Sequence, residues 1–483
     1  MVSELTPTAQ AAFIYGTTPN QTQWVTSSNG TGAIVSVSEG VMSCTSGNSI
    51  SGSSVVKLGR SIKYRAGQGV VGRFTAIFGT GAADTKQLAG MGNEECGYYF
   101  CKNGNDFGIL HRETSKREIR SFAVQAQATV TVVVTLGGQS KTISVTGGSS
   151  ANQTAHQISR QDYSQVGSGW KAESIDGTVY FISDVPGPIN GTYSITVSGV
   201  SIVSTTSQVQ AGVLPTETFI SQSSWNIDTM DGNGVSRTNL DPSKGNIYGV
   251  GYQYLGFGDP VFSIENPESG LLTDVHRIQT ANSRTAVVIR NPQTTARWEA
   301  INSGSSATSV TIKGGSAGIF NEGMIIRSIG TSFSTSSIKS SVSTGVPALT
   351  LRTNRIFKNQ SCYGEFNIFE LCVSNDAGSS AGGKTLIASV YKNLDLTGPV
   401  NYQYIDSTRS IVAVDTSATG YTVTNESQLL KTFIVAANSS IILNLENENF
   451  FAASGDRITV LLEKGGASTV DAGLVSISWF EDQ

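Results

Sequence analysis

Charge is scarce in this chain. Only 14% of its 483 residues are Asp, Glu, Lys or Arg, and the signs nearly cancel to a formal net charge of −4. Neither sign forms a long block, so no electrostatic footprint for a nucleic-acid backbone is present. The densest cluster, His111-Arg112-Glu113 with Lys116-Arg117-Glu118 and Arg120, mixes both signs. Histidine is scarcer still. His111, His156 and His276 lie far apart and none accompanies a G-x-S-x-G nucleophile elbow, so no base is placed to activate a serine. The five cysteines, Cys44, Cys96, Cys101, Cys362 and Cys372, are an odd and sparse set that cannot form a complete disulfide framework. No histidines flank them as a mixed zinc site requires, and they read as reduced thiols. Proline is limited to 11 residues and glycine follows no three-residue period, which excludes collagen.

Long apolar runs are also missing. No segment reaches the roughly 18 apolar residues of a membrane-spanning helix, so no membrane insertion is expected. The start, MVSELTPTAQAAFIYG, lacks a basic segment followed by an apolar core. Synthesis in a reducing cytoplasm is the expectation that follows.

What is present is a pattern of short alternating strands punctuated by 53 glycines. Ile458, Val460 and Leu462 alternate, as do Val475, Ile477 and Trp479, and the two runs read as an antiparallel pair closing the chain around Gly465-Gly466. Val130–Leu136, Gly137-Gly138 and Thr142–Val145 read as a hairpin. Residues 151–163 can form a short helix capped by Asn152 or Thr154. The fold class is therefore mainly β, with β-sandwich or jelly-roll domains and one short helix in the N-terminal half. The expected division is an N-terminal arm or first β segment at 1–60, a β-rich domain at 61–205, and a β-sandwich or jelly-roll region at 211–483. Thr8–Phe13 reads as an arm or a short helix.

Two segments attract functional readings. Trp225, Asp228, Asp231, Asn233 and Asp241 surround Gly232 and Gly234, which suggests a ring beside polar groups for a glycan, or a calcium loop. The complete twelve-position loop with its terminal glutamate is absent, and a hydrogen-bonded turn accounts for the same residues. Tyr252, Tyr254 and Phe257, set among glycines, are candidate interface residues or core packing. Glu265, Glu268, Asp274 and Glu299 are carboxylates that a polysaccharide-cleaving enzyme could use, yet nothing in the linear order sets two of them across a sugar. Gly314-Gly315-Ser316-Ala317-Gly318 lacks the lysine and serine ending of a phosphate loop. No catalytic residue, cofactor or metal ligand is assigned.

Gly79–Gly81, Asp84, Gly90–Gly92 and Phe107-Gly108-Ile109-Leu110-His111-Arg112 resemble β-rich structural proteins of tailed bacteriophages and large DNA viruses. Ser224-Trp225-Asn226, Asp241–Asn246 and Tyr252–Gly258 add to the resemblance. It implies a non-enzymatic virion component, capsid-associated, head-fibre or tail-associated, that assembles as a homo-oligomer with other virion proteins. The alternative is a module binding a glycan or host receptor at the particle's periphery.

Overall fold

The computed structural model describes residues 4–146, 150–305, 307–323, 331–378, 384–446, 448, 450–466 and 468–482. It is mainly β, and alternation builds it. Along Gly69–Phe78, Val70, Phe74, Ala76 and Phe78 join the core while Val71, Arg73, Thr75 and Ile77 take the other face.

The chain forms two compact units. Unit 1 comprises Met1–Arg117, Asp184–Pro188 and Gly212–Ile325; unit 2 comprises Glu118–Ser183, Ile189–Ala211 and Ile326–Gln483. These units do not follow the linear division into 1–60, 61–205 and 211–483. Residues 118–183 and 189–211 instead belong with the C-terminal third.

Unit 1 is a sandwich of a seven-stranded and a nine-stranded antiparallel sheet. Trp298, from the seven-stranded sheet, packs against Phe13, Trp24 and Phe74. Its indole Nε1 donates to the Thr75 carbonyl of the opposite sheet at 3.0 Å. Gly314 is demanded by this ring, because a Cβ there would lie 2.7 Å from it. The N-terminal segment is neither a free arm nor a helix. Leu5–Ala12 is a strand paired with Ser316–Glu322 from Leu5↔Glu322 to Ala12↔Ser316, and only Met1–Ser3 fall outside the described residues.

Unit 2 has two larger cores. In the part from 118 to 211, two four-stranded sheets and a helix enclose Phe122, Tyr163, Trp170 and Phe181. Gly137 and Gly138 turn the expected hairpin with φ of 59° and 81°. The helix spans Ala151–Ser159 and its cap is Ser150, whose side chain accepts from Gln153 N. Thr154 is buried and accepts from Gln127 N at 2.9 Å, so it does not cap the helix. In the part from 331 to 482, a five-stranded and a six-stranded sheet close over Phe366, Leu371 and Trp479. The two final strands are not paired with each other. Arg457–Lys464 lies in one sheet, and Val470–Asp482 lies in the other between Thr331–Val342 and Glu365–Asp376. Their alternating residues meet across the core, which gives the same apolar pattern as a hairpin.

Among the described residues no helix is long and apolar enough to cross a membrane.

Candidate functional site

The outward face of the nine-stranded sheet of unit 1 carries a trough. Register brings six residues from six strands into one row: Gln10 opposite Gly318, Gly318 opposite Arg73, Arg73 opposite Gly249, Gly249 opposite Ser263, and Ser263 opposite Asp274. Five interstrand steps make this row roughly 24 Å long. It reads amide, gap, guanidinium, gap, hydroxyl, carboxylate. Arg73 is exposed and has no carboxylate partner among the described residues. Asp274 accepts from Ser263 Oγ at 2.7 Å.

Why glycine stands in the gaps separates function from folding. A Cβ on Gly249 would lie 3.6 Å from Leu272 and Ser263, an ordinary contact, and its φ is not left-handed. The next-row Gly251, opposite Val71 and Val261, has the same freedom. Neither strain nor crowding requires glycine there. The missing side chains deepen the surface.

Aromatic and apolar groups line this face. Phe320 folds its ring over Gly318, with the Arg73 guanidinium 6.0 Å from the ring centre. Two hollows of about 710 Å³ each occupy the face. One is bounded by Phe320, Arg73, Asn20 and Tyr15, the last 85% exposed. The other is bounded by Leu255, Phe257, Leu272, Asp259 and Arg277. Burial alone raises the pKa of Asp259, but backbone N–H donors of Ala281 and Thr280 and the Arg277 side chain hold it at about 2. That is the wrong direction for a general acid. The arrangement presents hydrogen-bonding groups and ring faces.

The candidate interface trio divides. Phe257 is 40% exposed and borders the second hollow. Tyr252 points into the core, its hydroxyl 2.6 Å from Thr294 Oγ1. Tyr254 lies edge-on to Tyr64 and donates to the Ile289 carbonyl.

The Trp225 loop is closed on itself. Trp225 is buried against Phe100 and Phe107, so it offers no free ring face to a sugar. Asp228 accepts from Met230 N and Ser236 N at 2.8 and 2.6 Å; Asp231 accepts from Asn233 N and Thr229 Oγ1. These are turn bonds. Among the described residues no group of three or more His, Cys, Asp or Glu could hold a metal ion.

Other polar groups are committed to the fold. On the seven-stranded sheet of unit 1, charges alternate in a chain from Lys57 through Glu94, Arg297, Glu299, Arg112 and Glu217 to Lys86. Burial alone raises the Glu94 pKa, but Lys57, Arg297 and Arg117 together hold it well below the carboxylate range. His111 is stacked on Tyr98, and burial lowers its pKa to about 4. His276 accepts at Nδ1 from Asn226 N. Cys96 and Cys362 are buried thiols pushed up to about 12 by desolvation.

No family model matches this chain, and no curated protein matches it. Among solved structures, the Emp47p carbohydrate recognition domain aligns with 67% of this chain and 99% of its own, at 9% identity and a TM-score of 0.28. Peanut lectin with a bound 9mer peptide aligns over 66% and 99%, at 9% identity and a TM-score of 0.26. A legume lectin-like domain from Entamoeba histolytica aligns over 62% and 89%, at 9% identity and a TM-score of 0.25. Similarity at that level assigns neither a ligand nor a role.

Proposed function

We propose that unit 1 is a non-catalytic glycan-binding module that receives an oligosaccharide along its trough. The observation that carries this reading is the row Gln10, Gly318, Arg73, Gly249, Ser263 and Asp274, in which polar groups alternate with a position at Gly318 covered by the Phe320 ring and a gap at Gly249 that the fold does not require. A sugar presents hydroxyls at its edge and an apolar C–H face. Gln10, Arg73, Ser263 and Asp274 supply donors and acceptors for the first, and the Phe320 ring supplies a platform for the second. An open trough holds a single chain weakly, and repetition of the module in a symmetric assembly multiplies that affinity.

The resemblance to β-rich virion proteins supplies the setting in this proposal. The module stands on the outside of a particle as a homo-oligomer among other virion proteins, facing a host glycan. Immunogold labelling of intact particles tests that setting, and unlabelled particles would remove it without touching the sugar site.

The binding reading is tested by titrating the full chain with a panel of oligosaccharides. Saturable binding is expected, weakened about tenfold or more by Phe320→Ala and by Arg73→Gln. A panel without a saturable ligand, or variants that bind as the wild type does, would refute it.

A further inference from the structure

Unit 2 contains a hollow of about 590 Å³ whose wall is built from charged side chains. Most of them hold each other. Asp395 pairs with Arg160 and, at 3.8 Å, with Arg457, whose Nε donates to the Leu394 carbonyl at 2.5 Å. His156 Nε2 lies 3.2 Å from the Leu396 carbonyl, and burial pushes its pKa down to about 3, so the ring is neutral.

Two wall groups are left with unused capacity. Glu173 is 4% exposed; one carboxylate oxygen accepts from Arg355 N at 2.8 Å, and the other, Oε1, has no partner among the described residues. Arg352 is 6% exposed, with its guanidinium 4.0 Å above the Tyr402 ring. Its Nη2 donates to the Ser174 carbonyl and to Asn354 Oδ1 at 3.0 and 3.1 Å, while Nε has no acceptor among the described residues. The bond to Ser174, the next residue after Glu173, ties Arg352 to the strand that carries Glu173, and both residues line the hollow. Buried polar groups normally find partners, and each left open is destabilising. The space far exceeds that of a single water.

An occupant that uses both groups must give a hydrogen to Glu173 and accept one from Arg352. A carboxylate suits Arg352, because no side-chain carboxylate neutralises it among the described residues. The wall sets the cations Arg160, Lys171, Arg352, Arg355 and Arg457 against the carboxylates Asp162, Glu173, Asp395 and Glu426, so its charges nearly balance and a neutral hydroxyl serves Glu173 as donor without adding to either sign. We infer that the hollow of unit 2 binds a sugar unit bearing a carboxylate, held by its acid group on Arg352 and by a ring hydroxyl donating to Glu173. This site is independent of the trough in unit 1.

The test titrates the full chain with D-glucuronate, N-acetylneuraminate, the methyl ester of glucuronate, and serine. At least one of the two acids is expected to saturate. Its affinity is expected to drop about tenfold or more in Arg352→Gln, and glucuronate's, where it binds, by the same factor on esterification. Phe320→Ala is expected to leave it unchanged, which separates failure here from failure of the trough. No saturation by either acid up to about 50 mM would overturn the assignment. So would an ester binding as tightly as glucuronate, or serine binding as tightly as the acids. The ester comparison needs no variant, so a misfolded Arg352→Gln does not shelter the proposal.

Discussion

Units 1 and 2 close sheets over alternating side chains in the same way, yet they place their polar groups differently. Unit 1 leaves one sheet face open as a shallow trough and fills another with paired charges. Unit 2 lines a hollow with charged groups, and among the described residues of that wall one donor and one acceptor are left unused. The difference teaches that strand alternation accounts for a core but says little about the outward residues. Those residues are where a β-sandwich carries its recognition.

The comparison can be broken first at the cores. Trp298→Ala in unit 1 and Trp479→Ala in unit 2 each remove a fully buried ring and should cost about 4 kcal/mol in urea unfolding. Equal losses would show the two cores to be equivalent; a loss near zero in either would show that core to be wrongly described. Next comes the charge chain. Glu299→Ala leaves Arg112 and Arg297 buried without their shared carboxylate and should cost about 3 kcal/mol, whereas a fully solvated network would lose under about 1 kcal/mol.

Acid separates the units more finely. His111 in unit 1 and His156 in unit 2 have folded pKa values lowered to about 4 and about 3. The unfolded chain therefore binds more protons below pH 6.5, and stability falls as the pH falls. Between pH 7.5 and 5 each histidine should cost about 2 kcal/mol, and His111→Gln and His156→Gln should each remove its share of that slope. Below about pH 4.5 carboxylates add to the loss in unit 1. The lowered pKa values of Glu94 and Glu217 mean their stabilising charge is complete above the unfolded value and lost on protonation. A flat profile from pH 7.5 to 5 in both histidine variants and the wild type would contradict the burial of these rings.

The smallest effect is the most telling. Gly249→Ala should change stability by under about 0.5 kcal/mol, because the added methyl meets only ordinary contacts. A large loss would make the glycine a folding requirement and remove the main reason for calling the trough functional.

Much of the framework is legible in the sequence because period-two alternation and Gly137-Gly138 act locally. The pairing of strands is not. Ile458–Leu462 and Val475–Trp479 present the same pattern whether they are neighbours in one sheet or faces of two, and only the whole core decides. The aromatic residue at 225 attracts a ligand reading that its packing on Phe100 and Phe107 does not leave room for. Burial of a single tryptophan cannot be read from its flanking aspartates. The trough escapes sequence reasoning for a different reason. Gln10, Arg73, Gly249, Ser263, Asp274 and Gly318 are gathered by register across six strands, two of whose pairings contain a bulge. Asp274 appears among the sequence candidates as an enzyme's carboxylate and lies instead at the end of this row. Glycines inside strands, where no turn calls for them, are the signal that could have pointed here.

The most direct test compares the wild-type chain with Gly249→Trp on one oligosaccharide panel, with both proteins shown to unfold at the same urea midpoint. Saturable binding by the wild type that disappears when the indole fills the trough is the predicted result; undiminished binding by the filled variant would contradict the account.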